Sequence, residues 1–212
     1  MTRLNVNPTR QELRRLKGQL KTSVRGHKLL KDKSDEMIRR FCILIRENKR
    51  LREEVEKDLQ RALTNFSSAK AVMDERALEE AFLMPASSVS LACGQKSIMA
   101  VPVPDIQVER AEGEGATPYA FSAVSSEVDY SVSALAALLP KLVQLAEVEK
   151  ACNLLADEIE KNKRRVNALE YVLIPQYEET IKYIVMKLDE NDRGATTRLM
   201  KVKSMIASGD SQ

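Results

Sequence analysis

Tryptophan is absent from this sequence, and aromatic residues make up only 4% of its 212 positions. Glycine and proline are scarce, at seven each. A β-sandwich or an α/β enzyme needs more turns and more aromatic core than this. A single histidine, His27, leaves little material for general acid–base or metal chemistry. The three cysteines, Cys42, Cys93 and Cys152, have no metal-ligand spacing. Cys42 and Cys152 fall on apolar helical positions and read as small buried hydrophobes of a reducing compartment. The seven glycines never assemble into a phosphate-binding loop. No run of about 20 uncharged apolar residues occurs, so no membrane span is expected. The first residues lack the apolar core of a signal peptide. The expected location is cytoplasmic, free or attached to the cytosolic side of a larger structure.

What remains is helix-forming. Ala, Glu, Leu, Lys and Arg together supply almost half of the chain, as in long helices and coiled coils. No glycine or proline lies between His27 and Met84; seven lie from Pro85 to Pro118; only Pro140 and Pro175 fall between Tyr119 and Arg193. Two long arms therefore flank a short irregular middle. Asn7 is expected to cap the first helix, with Pro8 at its first position. From Leu13 a heptad seam runs through Leu16, Leu20, Ser23, His27, Leu30, Ser34, Met37, Phe41, Leu44, Asn48, Leu51 and Val55. It weakens after Val55, while helical composition continues to about Met84. The last arm carries Val148, Cys152, Leu155, Ile159, Asn162, Val166, Leu169 and Leu173, then Tyr177, Ile181, Ile184 and Leu188. Its steps of four from Leu169 to Ile181 act like a stutter, and Pro175 within them should bend the helix.

In the middle, Ser87–Ala92 and Ser97–Val101 are β-prone, with a turn expected at Gly94-Gln95-Lys96. Pro102 and Pro104 should confine the second strand to an edge or end it, and Glu109–Pro118 reads as a loop. The predicted fold is all-α dominated: a long antiparallel two-helix coiled coil with a small central segment containing a short β-hairpin, a rod with a knob at one end. The expected divisions are an N-terminal helix over 1–84, a central segment over 85–130 and a C-terminal helix over 131–212.

No catalytic, cofactor or metal site is expected. His27 sits on the seam and reads as a polar register residue; carboxylate pairs such as Glu53-Glu54 read as solvated helix faces. Charge placement carries more information. Residues 1–33 hold ten basic side chains against two acidic ones, and residues 182–203 hold six against three. An antiparallel pairing brings these segments together. The candidate contact residues of this basic end are Arg10, Arg14, Arg15, Arg25, Lys28, Arg193, Arg198 and Lys201. A nucleic-acid arm, a solvated end and a protein collar around the end all compete as readings. The first lacks interleaved aromatics for stacking.

Certain residues carry a resemblance. In the first arm these are Pro8-Thr9-Arg10, Leu13, Leu16-Lys17, Leu20, Gly26-His27-Lys28-Leu29-Leu30-Lys31 and Lys33. In the second they are Lys163-Arg164-Arg165-Val166-Asn167-Ala168-Leu169-Glu170, Ile174-Pro175, Thr180-Ile181 and Arg193. Together they resemble the opening and closing helices of the D subunit of V/A-type rotary ATPases. The resemblance implies a non-catalytic rotor shaft. It would turn inside a hexamer of A and B subunits, bind the F subunit, and stand on a funnel-shaped subunit above the membrane ring. It implies no nucleic acid and no direct membrane insertion. The nucleotide sites would belong to the A and B subunits. The alternative of a different class is a free-standing coiled-coil tether or nucleic-acid-binding arm.

Overall fold

The computed structural model describes residues 3–83, 88–110, 119–120 and 124–209. Helix α1 spans Arg10–Val72 and α2 spans Glu75–Ala81. Strands β1 (Val89–Ile98) and β2 (Val101–Arg110) follow, then α3 (Ser126–Ala168), a π-helical turn (Leu169–Leu173) and α4 (Ile174–Gly209). The fold is thus helical, with one small antiparallel sheet in its middle, as the composition required. The chain divides into two compact units, Met1–Glu36 with Glu160–Gln212, and Met37–Ile159.

In the first unit α1 and the C-terminal arm run antiparallel. Cross-contacts descend on one side as they ascend on the other: Arg10 with Asp192, His27 with Glu170, Leu30 with Asn162. The predicted seam is the buried face. Leu16 and Ile184 are fully enclosed, and Leu13, Leu20, Ser23, His27 and Leu30 are half-buried. Each fully enclosed aliphatic side chain contributes about 1.5–3 kcal/mol. Asn162 is 2% exposed, and its Nδ2 donates to the Leu30 carbonyl at 3.1 Å. A polar seam residue satisfied in this way fixes register. The cap differs from the sequence expectation. The helix begins at Arg10, and the Thr9 hydroxyl accepts from the Glu12 N–H at 3.2 Å. Thr9 to Glu12 has the spacing of a capping box, a stronger start signal than Asn7-Pro8.

The second unit holds α1 from Met37 onward against α3, with Arg52 beside Glu149 at 3.3 Å and Asp58 beside Lys141 at 2.7 Å. The seam does not stop at Val55. It continues through Ala62 and Ala69, both buried, in alanines that carry little hydrophobic signal. The first arm breaks at Met73-Asp74, earlier than Met84, because extended Asp74 (φ −68°, ψ 139°) starts the separate α2. There Ala69, Ala81, Tyr119 and Val128 form a small core, edged by the Phe66, Phe82 and Tyr119 rings.

The hairpin is longer than expected and turns elsewhere. Ile98 pairs with Val101, so the turn is Met99-Ala100, both at positive φ (52° and 68°), the geometry of a two-residue type I′ turn. Gly94, the expected turn residue, lies inside β1 opposite Asp105. Pro102 and Pro104 do not end the strand. They face Ser97 and Gln95, and counting from the turn these are the non-hydrogen-bonded pairs, where a missing N–H costs nothing. Glu109 and Arg110 belong to β2 as well; the rest of the expected loop, and Ser87, lie outside the described residues. The hairpin is no free knob within this unit. Val101 and Val103 pack with Met37, Ala151 and Leu155, so the turn end lies back along the helices. The outer strand β1 is exposed along almost its whole length.

Candidate partner-binding surface

The N-terminal segment folds back on α4. The Leu4 N–H donates to the Thr180 hydroxyl at 3.2 Å, and the Arg3 guanidinium stacks 3.8 Å above the Tyr183 ring. Thr180, fully buried, also donates to the Gln176 carbonyl. This end therefore has its own polar clasp.

All eight predicted contact residues lie in the first unit, but they form a band and not a single cluster. Arg10 is tied to Asp192 at 3.0 Å, with both side chains largely exposed. Arg15 is tied to Glu12 at 2.9 Å. Arg14 and Lys17 border a groove of ≈ 450 Å³ floored by Leu13, Val185 and Leu188, with Asp189 and Asp192 on its far side. Arg25 and Lys28 are exposed farther along α1, about 25 Å from Arg10 at 1.5 Å per residue. Arg193 lies beside Thr196 and Thr197, while Arg198 and Lys201 are exposed on the last turns of α4. Exposed pairs such as Arg10–Asp192 contribute ~0–1 kcal/mol each. Lys187 and Glu190 form a further pair at 2.8 Å, which pushes the lysine up and the carboxyl down from their ordinary values.

The charge count does not reveal an apolar stripe on the same end. α1 begins at Arg10, beside Asp192, whereas α4 continues to Gly209. Beyond Asp192 the seam spacing persists in Ala195, Leu199, Val202 and Ile206. Leu199 is 70% exposed, and Val202 and Ile206 are exposed too, with Met200 alongside. Among the described residues nothing in the chain covers Leu199, Val202 and Ile206. Their period is legible in the sequence, being the heptad continued past the point where the first arm starts. Arg198, Lys201 and Lys203 are interleaved with them.

Among the described residues the second unit has exposed apolar surfaces of its own. The helical stretch 126–206 contains an 18-residue window of mean hydropathy 1.4, only 11% buried. By length and composition alone it could cross a bilayer, a feature that the criterion of an uncharged run does not reveal. Its residues include Tyr130, Leu135 and Leu142, all exposed on α3. Along α1, Ile38, Cys42 and Ile45 form a second exposed stripe. Cys42 is therefore not the buried hydrophobe its position suggested. Cys152 is buried, and its thiol is pushed up by burial and by Glu149 and Glu47. His27, on the seam, donates from Nε2 to Glu170 at 3.3 Å. The described residues hold no group of three or more potential metal ligands.

Comparison with known proteins bears on what these surfaces are. Residues 12–204 match the family model for the ATP synthase D subunit. A V-type ATP synthase D subunit of Clostridium botulinum is 56% identical over 209 residues, covering 97% of this chain and 98% of the relative. The protein of that name from Clostridium novyi is 54% identical, covering 97% of each. That of a Thermoanaerobacter species is 51% identical over 99% of this chain and its own full length. With the match running through both helical arms and the hairpin between them, the chain belongs to the family of ATP synthase D subunits.

Proposed function

We propose that this chain is the central rotor shaft of a V/A-type ATP synthase, coupling ion translocation through the membrane ring to ATP synthesis or hydrolysis in the A–B hexamer. The observation that carries this reading is the end of α4. A heptad stripe, interleaved with basic side chains, continues past the start of α1 with nothing among the described residues to cover it. An enclosing collar of other subunits would bury Leu199, Val202 and Ile206 and face Arg193, Arg198 and Lys201. The shaft is non-catalytic; nucleotides bind to the A and B subunits, and the complex holds it peripheral to the membrane without insertion.

The two helices offer unequal faces, so each catalytic pair meets a different surface as the shaft turns. Differential contact of this kind can bias open and closed states. Exposed basic side chains in a band make many weak contacts, which suits a bearing that must not lodge at one angle. The F subunit is assigned to the second unit, where exposed β1 and the Ile38–Cys42–Ile45 stripe offer surfaces to bind. The apolar flank of α3 is assigned to the funnel-shaped subunit and not to lipid, since Lys141 within it is tied to Asp58.

The test is titration of the chain, together with the F subunit, into an A–B hexamer at several salt concentrations. Arg14→Ala should change docking and ATP turnover little. Replacing Arg10, Arg14, Arg15, Arg25 and Lys28 together with Gln should weaken docking, more at low salt than at high. Docking unaffected at low salt would remove the basic band from the bearing. Failure of the wild-type chain to associate with the hexamer would sink the shaft reading and favour the tether.

A further inference from the structure

From Asn162 onward one track of covered residues in the C-terminal arm runs through Asn162, Val166, Leu169, Ile174, Tyr177, Ile181, Ile184 and Leu188, with Pro175, Gln176, Thr180, Tyr183, Val185 and Lys187 enclosed or half-enclosed beside it. Along that track every step is three or four residues except one, Leu169 to Ile174, which is five. That step coincides with the π-helical turn, where the Ile174 N–H donates to the Leu169 carbonyl. The sequence pattern places Leu173 on the seam. It is instead 36% exposed, beside Tyr171 at 65% and Val172 at 48%. One extra residue in a continuous α-helix would turn all later side chains by about 100°. The wide turn absorbs that residue on the outside and returns the heptad to phase.

We propose that this turn is a pinned register joint: the arm carries one residue more than its heptad needs, and the joint holds the excess at a single place from which it can move. Two features pin it. In an ordinary α-helical turn the Pro175 ring would meet the Tyr171 carbonyl, so a wide turn just before it relieves the clash. Glu170, inside the turn, accepts from His27 on α1 at 3.3 Å. If the wide turn migrated toward the C-terminus, Leu173, Gln176 and Thr180 would take the seam places of Ile174, Tyr177 and Ile181. That second register is poorer but not absurd, since Thr180 is already fully buried. The pair of helices can therefore slip by one residue locally without unfolding, and the slip begins at this turn.

Hydrogen exchange and thermal unfolding of the full chain test the proposal. In the wild type, amides of residues 170–176 should exchange faster than those of 161–167, on the order of tenfold. Deleting Val172 makes the odd step four residues; it should abolish the fast exchange and leave Tm equal to or above wild type. Deleting Lys182 instead throws Ile184 and Leu188 off the seam and should lower Tm. Pro175→Ala should spread fast exchange from the turn toward Ile184. The proposal is overturned if deleting Val172 lowers Tm as much as deleting Lys182. Equal protection of 170–176 and 161–167 in the wild type overturns it too. Fast exchange still confined to the turn in Pro175→Ala overturns the pinning.

Discussion

Leu155→Ala tests the packing of the hairpin on the helices. Leu155 is fully enclosed among Met37 of α1, Ala151 of α3, and Val101 and Val103 of β2. Three elements from distant parts of the chain meet on it, so its truncation cannot be filled by one side chain moving. A Leu→Ala change at such a site costs about 2–5 kcal/mol. With a melting temperature that moves roughly 2–4 °C per kcal/mol in a chain of this size, the expected fall is about 5–15 °C. The assay is urea unfolding followed by circular dichroism, for Leu155→Ala, Val103→Ala and the double variant. Because the two side chains share one core, the double variant should lose less than the separate losses added together, by about 0.5–3 kcal/mol. Strict additivity with a loss under about 1 kcal/mol for Leu155→Ala, below the range for an enclosed leucine, would show that the hairpin does not rest on the helices. Limited proteolysis supplies a second readout, since a loosened hairpin should be cut at or near Met99-Ala100 first.

Asn162→Ala should cost about 1 kcal/mol, because one buried hydrogen bond is lost while the Leu30 carbonyl keeps its place in the α1 ladder; urea unfolding measures it, and no loss would mean the Asn162 contact is not formed in solution. Asp58 is held below its ordinary value of 3.8 by the Lys141 hydrogen bond, and Lys141 is held above its ordinary 10.5 by Asp58. The carboxyl's small contribution is thus present above pH 3.8 and lost as pH falls through the lowered folded value; the amine's is present below pH 10.5 and lost as pH rises through the raised one. Lys141→Met should flatten both edges of the stability–pH curve relative to wild type, and unchanged edges would exclude the pair. Leu199→Ser, Val202→Ser and Ile206→Ser together should leave the chain's own stability within about 0.5 kcal/mol, as exposed positions do, yet weaken hexamer docking; equal docking would show that the stripe stays outside the collar.

Much of the helical pairing is legible because heptads are written in residue type. Every seam position from Leu13 to Val55 is enclosed or half-enclosed. Where the code is carried by small residues it fades, and Ala62 and Ala69 escape notice for that reason. The hairpin's existence follows from β-prone runs, but its turn does not. Met99-Ala100 lacks the Asn-Gly or Asp-Gly that marks a type I′ turn, and Gly94 is a decoy inside a strand. The cap at Thr9 is a visible signal outweighed by Pro8 beside it, and the break at Asp74 lies in a stretch free of the proline and glycine by which the arms are divided. The five-residue step is hidden because Leu173 is as apolar as Ile174, and only a backbone can say which faces inward. For the candidate interaction surface, charge in the sequence singles out the end that also carries the exposed apolar stripe. The apolar stripe there escapes a search for a seam confined to the stretch where two arms can pair.

Rotation is the most direct measurement of the central claim. Ser133 is exposed on α3, in the unit that does not carry the basic band and outside the surfaces assigned to the F subunit; Ser133→Cys with Cys42→Ser and Cys93→Ser supplies the accessible thiol for a bead or gold particle. The labelled chain, assembled with the F subunit into a surface-fixed A–B hexamer, is observed under ATP. The shaft account predicts unidirectional rotation in three-fold steps whose rate follows ATP concentration. A probe that stays fixed while the same complexes hydrolyse ATP would contradict it.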